Sequence, residues 1–203
     1  DQYGPNVKAA LEKYPSAKTT NITPEGKIYS LPTIYDYGPS RAWRYMQINQ
    51  RWLKNVGKEV PKTLDDFVDV LKAFRDKDAN GNGDTKDEIP YSAHTFENTM
   101  RGLLPAFGID YMNGYPAKLD GNKVKLMATS DEFKAALQFM NKLYTQKLLD
   151  PGIFTQTQAN FQGNLPDDKY GVVLLQQTLN AGKIAPEAKP EPMRAYGISI
   201  IPK

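Results

Sequence analysis

The chain has 203 residues, 40% of them hydrophobic, and a net charge of only +3 from 26 basic and 23 acidic side chains. That allows one large domain or two small ones with a buried core, and the scattered basic residues form no stripe for nucleic acid. There is no Cys, which excludes disulfides, thiolate zinc sites and a cysteine nucleophile.

Apolar runs reach about five residues, far short of a membrane span. The opening Asp1-Gln2-Tyr3 shows no signal-peptide pattern and no initiator Met, so the chain reads as a processed or truncated piece. His94 is the only histidine and no G-x-S-x-G accompanies it, so a serine–histidine relay is not expected.

In chain order, "PNVKAALEKY" (5–14) reads as a short helix ended by Pro15, and "KIYSLPTIYDYG" (27–38) as a strand and a loop. "AWRYMQI" (42–48) has strand-like spacing. "NQRWLKNVG" (49–57) reads as a helix with Gly57 placed for a left-handed cap. Thr63 and Asp66 make a capping-box pattern before a helix whose inner face is Leu64, Phe67, Val68, Leu71 and Phe74. After Pro90 the chain looks irregular until a helix over 97–108, broken near Pro105. A strand over 122–129 follows, then a helix over 131–147 capped by Ser130, with the stripe Phe133, Leu137, Met140 and Tyr144. A helix over 152–164, a buried strand over 169–176, an exposed loop over 182–193 and a last strand over 195–203 complete the chain. The class is α/β or α+β, with a sheet small for so many helices, as if part of a larger fold.

The densest polar stretch is "RDKDANGNGDTKDEIP" (75–90), with four Asp, one Glu, two Asn and two Gly. Ca²⁺ takes six to eight hard oxygen ligands, with Gly where the loop turns sharply. Two registers fit. One starts at Asp76 and runs through Asp78, Asn80, Gly81 and Asp87, matching the EF-hand pattern except for a final Asp in place of Glu. The other starts at Asp78, uses Asn80 and Asn82, turns at Gly83, takes the Asp84 carbonyl and closes with Asp87 and Glu88. An ordinary turn-rich loop would show the same residue types, but five carboxylates with only Lys77 and Lys86 beside them repel one another unless neutralised. Ile89-Pro90 forbids an immediate second helix, so the loop reads as a staple rather than a helix–loop–helix switch.

The stretch "WLKNVGKEVPKTLDDFVDVLKAFRDKDANGNGDTKDEIPYS", with "GKIYSLP" before it and "FKAALQFMNKLYTQKLLDPGIFTQ" and "AYGISIIPK" after it, resembles the extracellular solute-binding proteins of ATP-driven sugar importers, in their oligosaccharide-binding lipoprotein branch. The resemblance implies an α/β fold of the periplasmic-binding-protein-like type II, here a helix-rich second lobe with a small sheet. Residues 1–44 would be the hinge and edge of the first lobe, 45–194 the second lobe with its calcium loop at 76–88, and 195–203 a return strand to the hinge. It also favours the register starting at Asp78, with Asp78, Asn80, Asn82, Asp87 and Glu88 as ligands of a structural calcium. This loop has one more residue than the common form, in "GDTKDE", which leaves Asp84 as a backbone or side-chain ligand. Gln146-Lys147 replaces the family's usual Glu-Gly.

The function so implied is capture of a sugar or oligosaccharide between two lobes and its delivery to a membrane permease, by an extracellular, membrane-anchored bacterial lipoprotein. Sugar contacts are expected from aromatic rings and polar groups near the lobe crossover: Trp43, Tyr45, Tyr35, Tyr37 and Arg41, with Arg44 beside them. His94 and Phe96 are further candidates, and Trp52 is expected in the core. The competing readings are a carbohydrate-active enzyme, which needs two carboxylates facing a sugar, and a calcium-stabilised protein-interaction module.

Overall fold

The structure, a computed structural model, describes residues 4–31, 33–34, 45–112 and 114–175. The expected return strand over 195–203, the loop over 182–193 and residues 32 and 35–38 of the expected strand and loop lie outside the described residues. Two compact units divide at Trp43 and Arg44.

In the first unit, α1 (Pro5–Lys13) ends before Pro15 as expected. Pro15 then opens α2 (Pro15–Asn21), because a first-turn position has no use for the N–H that proline lacks. Neither helix buries a residue, and an antiparallel bridge pairs Ile22 with Ile28 around a turn.

The second unit is built on three strands, β1 (Tyr45–Ile48), β2 (Ile89–Ala93) and β6 (Tyr170–Leu175), in the order β1-β6-β2. β6 runs antiparallel to β1, with Tyr45 opposite Leu175, and parallel to β2, with Ala93 opposite Leu174. Its Tyr170, Val172, Val173 and Leu174 are all buried, as a strand covered on both faces requires. Between them, a Cβ on Gly171 would lie 2.4 Å from Phe74 Cδ2 and 2.9 Å from the Pro90 carbonyl oxygen, so only glycine fits. β2 occupies the stretch after the acidic loop that looks irregular in sequence, because its apolar residues follow a proline and lack clean alternation.

Asn49 caps α3 (Gln50–Val56), its side chain accepting from the Trp52 N–H, and Gly57 closes the helix at φ 70°. α4 (Leu64–Asp76) carries the full capping box between Thr63 and Asp66. It buries Phe67, Val68, Val70, Leu71, Ala73 and Phe74, a wider face than the predicted stripe, since Leu64 is only partly buried. Trp52 meets Phe74 edge to face at 5.3 Å, and Phe67 meets Tyr91 at 5.9 Å. Each such ring contributes about 1.5–3 kcal/mol on burial.

α5 (Phe96–Leu103) passes into a 3₁₀ turn (Leu104–Phe107) that holds Pro105 and ends at Gly108. A second sheet follows as an antiparallel meander of β3 (Asp110–Met112), β4 (Tyr115–Asp120) and β5 (Lys123–Leu126). α6 (Asp131–Thr145) starts at the Ser130 cap, but its buried residues are Ala136, Met140 and Leu143. Of the expected stripe only Met140 is buried, while Leu137 and Tyr144 are 40% and 38% exposed. Just beyond the helix and its Gln146 C-cap, Lys147 sits at φ 56°, a left-handed position that glycine adopts without strain. The helix expected over 152–164 is confined to α7 (Gln158–Asn164), behind a Thr157 cap and a turn.

Candidate functional site

The loop from Lys77 to Glu88 links the C-terminal end of α4 to the start of β2. Asp76 is drawn out of it. Both its oxygens accept from Arg75, at 2.7 and 2.9 Å, and that guanidinium holds its carboxyl below the ordinary range. Lys77 turns away to donate to the Val56 carbonyl at 3.0 Å.

Asp78 organises the turn. Its Oδ1 accepts from the N–H groups of Gly81 and Asn82, and its Oδ2 from Gly83 at 2.9 Å. Gly81 and Gly83 sit at φ 80° and 90°, so both turning glycines are used. The carboxamides of Asn80 and Asn82 donate to Asp87 at 3.2 and 2.8 Å, while their oxygens accept from the N–H groups of Asn82 and Asp84. Asp84 lies further out, accepting from the Lys86 N–H.

Glu88 Oε1 accepts from the Ala79 N–H at 2.9 Å, and Ala79's carbonyl accepts from Asn55. Glu88 Oε2 is buried with no hydrogen-bond partner. Burial, with the Asp87 charge adding to it, raises this carboxyl above its ordinary value. Among the described residues no three His, Asp or Glu side chains stand together as a metal-binding group, so a cation here would also need amide oxygens. The donor set fits such an ion: hard oxygens only, and a buried carboxylate oxygen without a partner. Turning the Asn80 and Asn82 carboxamides would present their oxygens beside Asp87.

The opposite end of the sheet holds the other candidates. Tyr45 begins β1 opposite Leu175, the last residue of β6, and Ala93 ends β2 opposite Leu174. Tyr45, His94 and Phe96 therefore share the carboxyl end of the two parallel strands, where open α/β sheets bind ligands. Only the backbone of Tyr45 is described, and Trp43, Tyr35, Tyr37, Arg41 and Arg44 lie outside the described residues. Six residues of extended chain separate Glu88 from His94, about 20 Å, so the acidic loop and this rim are at opposite ends of β2. Trp52 is fully buried, as expected.

The rim carries polar groups that the sequence did not single out. Leu149 bridges Tyr91 in parallel, making a fourth, minimal strand outside β2, and the Asp150 N–H donates to the Tyr91 carbonyl. The Asp150 carboxylate is buried and accepts from Ser92 Oγ at 2.6 Å and from the Gly152 N–H at 2.8 Å. Gln156 Nε2 donates to the Ala93 carbonyl at 2.6 Å. Gln47, across the sheet on β1, is fully buried, and its amide has no partner among the described residues. An aspartate in "LLDPG" was the one available signal, and alone it does not distinguish a turn from a site.

No family model matches the chain. The fructooligosaccharide ABC-transporter substrate-binding protein FusA of Streptococcus pneumoniae is 34% identical over 183 residues, 85% of this chain and 33% of FusA. The lipoprotein LipO of Bacillus subtilis is 34% identical over 131 residues, 64% of this chain and 26% of LipO. Among solved structures, a solute-binding protein of Bifidobacterium longum infantis, described as HMO-binding and associated with an ABC transporter, superposes with a TM-score of 0.75 at 31% identity, covering 87% of this chain and 38% of that one. FusA in complex with kestose superposes at 0.73 and 31% identity over 93% of this chain and 38% of FusA. An EF-hand mutant of FusA in complex with fructo-nystose superposes at 0.74 and 30% identity, with the same shares covered.

This chain belongs to the ABC-transporter solute-binding proteins. It spans about a third of the length of the curated relatives it matches. FusA and the Bifidobacterium protein are substrate-binding proteins of ABC transporters and not enzymes. The solute-binding architecture is the mixed α/β one described above. No helix among the described residues is long and apolar enough to cross a membrane.

Proposed function

We propose that residues 45–194 form the second lobe of an oligosaccharide-binding protein, with 1–44 at the hinge and edge of the first lobe and 195–203 returning to the hinge. The complete protein captures an oligosaccharide between its lobes, as an extracellular lipoprotein, and passes it to the permease of an ABC importer. The observation that carries this reading is the similarity to FusA along 85% of the chain. It is supported by a sheet whose carboxyl end gathers Tyr45, His94 and Phe96. Trp43, Tyr35, Tyr37 and Arg41, with Tyr45, remain the proposed sugar contacts. The test is a thermal-shift and calorimetric screen of the complete two-lobe protein against oligosaccharides, kestose among them. Saturable stabilisation supports the reading, and none across the panel counts against it.

We further infer that Asp78, Asn80, Asn82, Asp87 and Glu88, with the Asp84 backbone or side chain, hold a structural Ca²⁺. The partnerless Glu88 Oε2 and the hard-oxygen donor set support this, as does an EF-hand in FusA. A bound Ca²⁺ supplies the positive charge that the loop lacks. Asp78 meanwhile holds the turn through three backbone N–H groups, and Asp87 keeps Asn80 and Asn82 on one side of it. In FusA the EF-hand mutant still holds fructo-nystose, which fits a site that stabilises rather than contacts sugar. Calorimetric titration of the chelated chain with Ca²⁺ tests the site directly.

A further inference from the structure

Phe154 is 59% exposed, yet the turn that carries it is firmly held. Ile153, its neighbour, is 1% exposed and anchors the turn in the core. On one side Asp150 is fixed by Ser92, the Gly152 N–H and the Tyr91 carbonyl. On the other, Gln156 is bonded to the Ala93 carbonyl. Phe154 therefore presents a largely exposed ring on an anchored turn.

Two further rings back it. Phe96 lies 4.7 Å away at an interplanar angle of 35°, and Tyr144 lies 5.4 Å away at 71°, edge to face. The cluster therefore presents one open aromatic wall beside the carboxyl end of β2. The turn that carries Phe154 follows Leu149, which bridges β2 on the side away from β6 and so stands three strand spacings from β1, where Tyr45 begins. Three spacings amount to about 14 Å, a distance that an oligosaccharide bridges and a monosaccharide does not. The face of an aromatic ring is electron-rich, and it attracts the weakly positive C–H groups that line one face of a sugar ring. The sugar's hydroxyls remain free to meet polar groups or water.

We propose that Phe154, backed by Phe96 and Tyr144, is a stacking platform for one ring of the bound oligosaccharide. Asp150, Ser92 and Gln156 are positioning residues that hold its turn against β2. The proposal rests on the sugar-binding reading above and adds the residue that sets one subsite.

The test titrates the complete two-lobe protein, with Ca²⁺ present, with a panel of oligosaccharides that includes kestose and stachyose. It reads both the dissociation constant and the upfield ring-current shifts of the sugar C–H protons by NMR. Phe154→Trp keeps a π face, whereas Phe154→Leu keeps apolar bulk without one. Upfield shifts in the unmodified chain and in Phe154→Trp, lost in Phe154→Leu together with a tenfold or greater weakening at unchanged Tm, are the expected result. If the sugar binds and Phe154→Leu leaves affinity and shifts intact, the platform is wrong while the sugar-binding reading stands. That result is also the one expected if another surface of the complete protein covers Phe154. If no oligosaccharide of the panel binds the unmodified complete protein, the sugar-binding reading fails and takes the platform with it.

Discussion

Glu88→Gln separates a structural ion from an ordinary polar loop, because its effect changes sign with calcium. In chelator, Glu88 Oε2 is a buried carboxylate oxygen without a partner. A neutral amide costs less to bury than a charge, while the retained side-chain oxygen still accepts from the Ala79 N–H. The variant is therefore expected to be more stable than the unmodified chain by up to about 1 kcal/mol. In calcium the order reverses. An ion held only by the folded state adds about 2.7 kcal/mol at ~100-fold its dissociation constant, and a variant that binds it 100-fold more weakly forfeits most of that. For a domain of this size, about 1 kcal/mol moves Tm by roughly 2–4 °C, so both signs are measurable by circular dichroism melts in chelator and in calcium. Identical melts of the unmodified chain under the two conditions would refute the ion. So would a Glu88→Gln loss of equal size in both, which would mean that Glu88 matters only for its contact with Ala79.

Asp168, at φ 53°, gathers Arg51, Asn49 Nδ2 at 3.1 Å and the indole N–H of fully buried Trp52 at 3.2 Å. Asp168→Ala should cost about 2–3 kcal/mol in urea unfolding by leaving that indole donor unpaired, and Asp168→Asn distinctly less. Asp66 accepts from the N–H groups of Lys62 and Thr63, and hydrogen bonding in the capping box, the Thr63 contribution first, holds its carboxyl below the ordinary value. Its contribution to stability is therefore complete above the unfolded-state value of 3.8 and fades as pH falls through the lowered one. Asp66→Asn should flatten that acid limb of the stability curve, and Thr63→Ala should cost about 1 kcal/mol at neutral pH.

What could be read in advance follows the range of the forces involved. Caps and turns are local: Thr63 with Asp66, Ser130, Asn49 and Gly57 all act within a few residues, and each stands where its spacing places it. The acidic loop is local too, and its two turning glycines were legible for the same reason. What failed depends on distant partners. The inner face of α6 is set by what packs against Ala136, not by the most apolar stripe. β3 and β4 are short strands with Pro116 and polar residues among them, and they exist because they pair with one another and with β5. The Ser92–Asp150–Gln156 cluster joins residues 58 to 64 positions apart, and no local pattern announces it. Lys147 was visible as a departure from the family's glycine, but its meaning needed the backbone angle.

The two candidate sites lie at opposite ends of β2, and this bears on what the ion can do. For calcium to tune sugar affinity, some element between the ends must have two arrangements that both sites bias. Among the described residues β2 runs directly from the loop to the rim; its Pro90, Tyr91, Ser92 and Ala93 are buried, and the strand is hydrogen-bonded along β6. A buried strand in register cannot slide by one residue without exchanging its two faces, so it transmits no graded change from loop to rim. The loop instead ties α4 to β2, and its contribution belongs to the stability of the whole unit. Chelation is therefore expected to lower Tm clearly while changing the dissociation constant for kestose less than about 5-fold, the lower limit of ordinary allosteric coupling. The comparison must be made well below both melting temperatures, so that unfolding does not mimic lost affinity. A tenfold or larger change there would mean that β2 has a second arrangement, and that the loop regulates the rim rather than merely supporting it.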